Sequence, residues 1–376
     1  MGIEQQGSFL KEGTWSMPWF NNLQVNAKNN TLVYGREQYG IRVNATNPFE
    51  VINNKKYFQA QQSLNSVTRK RLFKEAVRNR YLLLLSYTET EKFAQLRKKQ
   101  ETLILKMLQV QEARIGSAQF NSTDFLNDRI ESIGRNTEVQ RANYLLEMIQ
   151  GKIVRLVGKP DANFQFNHEL ITPETISAIS DSLGQVEIVT EVFEQMKKIE
   201  VSQRKLNLEK AERAGINIGY LQANYSPYKN DGFQKPMGVS MGLSIPVFNK
   251  NRNAVARENL GLLQDKNQLQ KLQILTNESQ IQNRNGLNFQ LNHYFQYKTN
   301  LIKLKEGGLF GLTAQINDFD PLLQLKFEDK LLKSELLLHE IQFKMLTDWI
   351  NLLDDLDLLA REPLINFLSE NLNSID

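Results

Sequence analysis

Three patterns of apolar and polar positions divide the chain. The first has a strict period of two. In "GVSMGLSIPVFNKNRN", Val239, Met241, Leu243, Ile245 and Val247 alternate with Ser240, Gly242, Ser244 and Pro246. "NLQVNAK" sets Leu23, Val25 and Ala27 against Gln24, Asn26 and Lys28, and "QYGIRVNAT" sets Tyr39, Ile41, Val43 and Ala45 against Gly40, Arg42, Asn44 and Thr46. Together with "INIGYLQANYSPY" these segments predict four strands, the three alternating ones apolar on one face only.

The second pattern has helical spacing. From Glu50 to about Ile115 the chain is free of Pro and Gly and carries Val77, Leu84, Tyr87, Leu103 and Leu108 at helical intervals, which predicts one long helix. At about 1.5 Å per residue it would be on the order of 100 Å long. The break "RIGSAQFNSTDFL" follows, with Gly116 ending the helix and Ser122 or Thr123, with Asp124, capping the next, which runs to about Val157. "GKPDANFQFNHELITPET" reads as loop closing on a Pro-bearing helix start. Further helices are predicted from about Ile176 to Arg213, from Asn253 to about Lys305 and, past the break "EGGLFGLTAQINDFD", through about Ala360. The residues before the first strand contain Gly and Trp and read as non-helical. The acidic "LLDDLDLLA" at the end of the last helix reads as a solvated face.

The third pattern is repetition. Pro48-Phe49 aligns with Pro246-Val247-Phe248 and Gly116 with Gly311, offsets of 198 and 195 residues in the same order. This predicts an internal duplication with repeats over residues 1–175 and 176–376.

Half-apolar strands fit either a soluble sandwich, with the apolar faces packed together, or a membrane barrel, with those faces in lipid. Four strands cannot close a barrel alone, and an open edge in lipid leaves backbone groups unpaired, so a barrel would have to be shared between subunits. Composition narrows the classes. Hydrophobic residues are 41% and charged residues 23%, too balanced for a disordered chain or a multi-span helical membrane protein. The longest wholly apolar run, Tyr81 to Leu85, is far short of the roughly 20 residues of a membrane-spanning helix. The net charge of +4 is spread out, without the basic block that marks nucleic-acid binding. The absence of cysteine excludes disulfides, thiol catalysis and cysteine metal sites. His168, His293 and His339 are isolated, so neither a catalytic constellation nor a metal or cofactor site is expected. The opening "MGIEQQGSFLKEG" has no basic stretch followed by an apolar one of the secretory kind.

A strand ending in "LSIPVFNKNRN" before a long helix, a preceding strand entered through "LNLEKAERAGINIGYLQANYSPY", the two breaks and the doubled plan resemble the TolC-type outer-membrane efflux proteins. That resemblance covers roughly Trp19 to Ala360. It implies a mainly α fold with a small β part, in which long antiparallel helices form an α-helical barrel. The four strands per chain would contribute to a trimeric, twelve-stranded transmembrane β-barrel. It also implies a non-enzymatic, passive export duct in the bacterial outer membrane, extending into the periplasm as part of a tripartite efflux or type I secretion system. Its partners would be two further copies, a periplasmic adaptor, an inner-membrane pump and outer-membrane lipid. The lipid-facing residues would be Val25, Ile41, Val43, Val239, Met241, Leu243 and Ile245. Ile115, Gly116, Phe310, Gly311 and Leu312 match the adaptor-docking turns, and Asp124, Asp318 and Asp320 the acidic gate at the tip. The rival expectation is a soluble or periplasmic coiled-coil scaffold whose small sheet caps a bundle; a third is a pore former that inserts conditionally.

Overall fold

A computed structural model describes residues 2–13, 15–29, 37–158, 170–214, 217–225, 237–244, 252–306 and 320–372. In chain order these form α1 (Gly2–Glu12), β1 (Phe20–Asn29), β2 (Glu37–Ala45), α2 (Pro48–Glu112), α3 (Ser122–Val157), α4 (Pro173–Ser180), α5 (Thr190–Ala214), β3 (Asn217–Tyr225), β4 (Met237–Ser244), α6 (Arg252–Glu306) and α7 (Pro321–Asp355). A strand pair, a very long helix and a returning helix occur in that order as β1–β2, α2 and α3, and again as β3–β4, α6 and α7.

The chain divides into two compact units, one of residues 1–72 and 188–275, the other of residues 73–187 and 276–376. The first unit holds the sheet. Its order is β1-β2-β3-β4 with every neighbour antiparallel, so the central pairing of β2 with β3 joins residues more than 170 positions apart, from Tyr39 opposite Tyr225 to Val43 opposite Leu221. Asn47 fixes the step from β2 into α2. Its Oδ1 accepts from Phe49 N at 3.0 Å, and its Nδ2 donates to Ala211 O at 3.1 Å and Glu50 Oε1 at 3.2 Å. Asn and Pro in "NPFE" are thus helix cap and first helical residue, and Glu50 braces the cap through its side chain. Because Asn47 also holds the end of α5, the exit from one strand and the approach to another are pinned by one amide.

In the second unit the core gathers on α7, where Trp349, Ile350, Leu352 and Leu353 are fully enclosed. The segment after α7 folds back over them with Leu359, Phe367 and Leu368 buried. Tyr81 of α2 secures it: its hydroxyl donates to Ile365 O at 2.8 Å and accepts from Phe367 N at 3.3 Å. Burial pushes the Tyr81 phenol pKa above its ordinary value, which leaves it a neutral donor.

Three sequence expectations are corrected. The residues before β1 are helical, because α1 is held from outside: Asn65 donates to Ile3 O at 3.2 Å, the Trp15 ring stacks on Phe58 at 4.7 Å, and Trp15 Nε1 caps Leu10 O at 3.0 Å after Gly13 turns left-handed at φ +68°. The helix expected from Ile176 to Arg213 is two helices. α4 stops at Ser180, and residues 181–189 leave helical geometry, with Arg284 Nη2 taking up Leu183 O at 2.7 Å and Gln280 Nε2 taking up Val186 O at 2.9 Å. The acidic end of α7 is not a solvated face. Leu352 and Leu353 are core, Asp357 pairs with the buried Lys74 at 2.5 Å, and Asp355 accepts from Ser279 and Asn283 at 2.6 Å each.

Candidate functional site: a two-faced sheet and a helix-to-helix turn

The register converts the period-two pattern into continuous rows. Leu23 lies opposite Val43, Val43 opposite Leu221 and Leu221 opposite Met241; beside that row run Val25, Ile41, Ala223 and Val239, and then Ala27, Tyr39, Tyr225 and Met237. Directly opposed residues share a face, so all twelve positions lie on one side. Most of that side is open: Val25 is 73% exposed, Val239 78% and Met241 59%. A bulge at Asn21 puts Phe20, rather than its neighbour, opposite Ala45 on the same side.

The other face is polar throughout. Its rows are Gln24, Arg42, Gln222 and Ser240, and Asn26, Gly40, Asn224 and Gly238, with Asn22 opposite Asn44 and Tyr220 opposite Gly242. The side chains are tied into one layer. Asn44 donates to Asn22, Gln222 donates to Asn224 at 2.6 Å, and the Arg42 guanidinium lies 3.9 Å above the centre of the Tyr220 ring. Of the strand residues expected on the apolar side, Val25, Ile41, Val43, Val239 and Met241 are brought together there. Leu243 occupies a register position opposite Ile218; its side chain, and Ile245 entirely, lie outside the described residues.

The second candidate site is the turn between α2 and α3. α2 ends at Glu112, and Gly116 takes φ +88°, a left-handed geometry that a side chain strains, with Ile115 beside it 61% exposed. The cap of α3 is Asn121, just before the residues expected to cap it, and its Oδ1 accepts from Thr123 N and Asp124 N at 3.0 and 3.2 Å. Asp124 is therefore free to reach out of its helix and pairs with Lys326 of α7 at 2.9 Å. Asp320 caps α7 by accepting from Leu322 N at 2.8 Å, and holds Arg114 at 2.5 and 3.1 Å in a two-pronged pair. Phe310, Gly311, Leu312 and Asp318 lie outside the described residues.

Above the turn the same helices are laced at heptad spacing. Glu131 and Lys333, each seven residues beyond the Asp124–Lys326 pair, meet at 3.2 Å. Between them sits Arg135, which bonds Glu131 at 2.5 Å, Asp329 at 3.6 Å and Gln100 of α2, with Arg135 and Asp329 both buried. Arg135 and Lys333 hold the Glu131 carboxyl below its ordinary range, while burial raises that of Asp128 despite a 2.8 Å bond from Gln111. Sequence reasoning missed the bases Arg114, Arg135, Lys326 and Lys333. The matching intervals, 124 to 131 and 326 to 333, were the signal that could have found two of them.

The pairing sets a pH window. The Arg114 guanidinium holds the Asp320 carboxyl below its ordinary value. A lowered folded pKa stabilises above the unfolded value of about 3.9 and is lost as pH falls through the folded value. Amide-exchange protection of the first turn of α7 is accordingly expected to be unchanged between about pH 7 and 5 and to fall only in stronger acid. In Asp320→Asn the protection should be reduced from about pH 5 upward, with the difference from the wild type closing in strong acid.

Among the described residues no three His, Asp or Glu side chains are placed to hold a metal ion, and no helix is long and apolar enough to cross a membrane. No family model matches the sequence, and no curated protein matches it either. Solved structures do match. The outer membrane protein VceC of Vibrio cholerae superposes with a TM-score of 0.66 at 10% identity, over 94% of this chain and 90% of that one. A membrane protein from Pseudomonas aeruginosa gives 0.66 at 11% identity over 94% and 86%. The open state of the Neisseria gonorrhoeae MtrE outer membrane channel gives 0.60 at 11% identity over 99% and 85%. Long paired helices, a four-stranded antiparallel sheet and near-complete coverage in these comparisons establish that this chain has the fold of these outer-membrane proteins, the TolC-type fold.

Proposed function

We propose that this chain is the outer-membrane duct of a tripartite efflux or type I secretion system. It would act as a homotrimer and carry cargo outward without chemistry of its own. The observation that carries this reading is the sheet: one continuous exposed apolar face, one continuous polar face, and β1 and β4 at its edges. A sheet in lipid must close, because unpaired backbone groups there cost several kcal/mol each. β1 of one copy against β4 of the next closes three copies into twelve strands, apolar rows outward and polar rows lining the lumen. Exposed apolar stripes on the helices favour the same partner. Leu126, Ile130 and Ile133 on α3, and Ile274 and Ile281 on α6, are uncovered and recur at coiled-coil intervals.

On this reading Ile115 and Gly116, with Phe310, Gly311 and Leu312, are the turns that dock a periplasmic adaptor, and an inner-membrane pump loads the duct. Asp124, Asp318 and Asp320 belong to the tip gate. Because Asp124 and Asp320 are engaged by Lys326 and Arg114, they act as latches as well as acids. The outer membrane and periplasm are the compartments this architecture serves. The two halves, 1–175 and 176–376, are copies of one ancestral unit, a reading supported by the doubled order of strand pair, long helix and returning helix.

The test is conductance. Detergent-purified protein added to a planar bilayer should give discrete, uniform channel steps; a coiled-coil scaffold would give none.

A further inference from the structure

Strand charges on the polar face are of one sign. The four strands carry three charged residues in all: Lys28 and Arg42, both in polar rows, and Glu37, which lies opposite Asn29 in the apolar register at a strand end. Arg42 sits at mid-strand on the central β2, with the neutral amides Gln24 and Gln222 as its lateral neighbours. No carboxylate pairs with it among the described residues. Its position is fixed instead by neutral groups: the Tyr220 ring beneath it at 3.9 Å and Asn44 Oδ1, which accepts from its Nε at 3.3 Å. Asn44 is in turn braced by Asn22.

The wall is cut to fit this stack. Tyr220 lies flat across Gly242, where an added Cβ would stand 2.4 Å from the ring. Without the glycine the ring would have to lift, and the guanidinium with it. A guanidinium held by a ring face and an amide has no counter-charge beside it, whereas a carboxylate partner would cancel most of its field. We propose that Arg42, supported by Lys28, makes the inner wall of the barrel a cationic collar, one copy per subunit, that favours anions and solutes bearing anionic groups. It is a specificity-determining site and rests on the barrel reading above.

A fixed charge in a pore raises the local concentration of counter-ions and repels co-ions, and salt screens it over about 10 Å at 0.1 M and about 3 Å at 1 M. The experiment is the reversal potential of bilayer-inserted trimers across a KCl gradient, for the wild type and for Arg42→Gln, Arg42→Lys and Arg42→Glu. All four share the same tip turns, so the contribution of the tip cancels between them. The chloride-to-potassium permeability ratio is expected to fall by about twofold or more in Arg42→Gln near 0.1 M, further in Arg42→Glu, and to stay near wild type in Arg42→Lys, with the differences shrinking toward 1 M. Pores with equal ratios in all four would overturn the collar and leave the duct intact. Loss in Arg42→Lys equal to that in Arg42→Gln would assign the residue to stacking on Tyr220 alone and overturn it as well. If no variant, wild type included, forms pores, the barrel reading and the collar fall together.

Discussion

Val239→Arg is expected to abolish assembly of the trimer in the outer membrane, whereas Ser240→Arg, one residue away, is expected to assemble. Val239 is among the most exposed apolar side chains of the chain and ends the middle of the three apolar rows. In water, a substitution at so open a position changes stability by no more than about 0.5 kcal/mol. In lipid, an arginine near the middle of the bilayer costs about 2–4 kcal/mol, and the trimer incurs that cost in each of its three copies. Ser240 belongs to the row of Gln24, Arg42 and Gln222, where a further charge would meet lumen water. The pair of variants therefore separates a lipid-facing sheet from a soluble one, in which neither change should matter. The readout is the amount of heat-modifiable trimer in the outer-membrane fraction.

The second large effect concerns the seam beside the α2–α3 turn. Arg135 is the hub that joins α2, α3 and α7 through Gln100, Glu131 and Asp329. Arg135→Ala removes one of the two bases that, among the described residues, hold the buried Asp329, and leaves Lys333, at 2.8 Å, to compensate it. Breaking a buried charge network in this way costs about 3 kcal/mol. The double change Arg135→Met with Asp329→Leu keeps the volume and removes the buried charge, so it should recover most of that loss. Denaturant midpoints followed by circular dichroism measure both; a single variant as stable as the wild type would mean that the seam contributes nothing to holding the three helices together.

The parts of the fold readable from sequence are those where one period dominates. The strands could be read because apolar and polar positions alternate residue by residue, and a pattern such as Leu23, Val25, Ala27 has no competing explanation in a helix. The long helix α2 could be read because nothing between Glu50 and Ile115 breaks it. What escaped was set by contacts distant in sequence. α1 contains two glycines and forms only because Asn65 and Phe58 receive it. The break after α4 carries one glycine, Gly184, and no proline; Arg284 and Gln280, about a hundred residues away, satisfy its carbonyls. Asp124 and Asp320 were visible as residue types but not their partners, since Arg114 and Asp320 stand 206 residues apart. Arg42 was visible as a polar position in its strand; only the register with Tyr220 and Gly242 reveals an arginine held without a carboxylate.

The most direct measurement of the central claim is the native mass of the full-length gene product in the membrane fraction from which it is extracted. It is expected to sediment with the outer membrane, to require detergent for release, and then to have a protein mass three times that of its own subunit, about 130 kDa for three copies of the 43.5 kDa sequence. A monomer or dimer that stays in solution without detergent would contradict it.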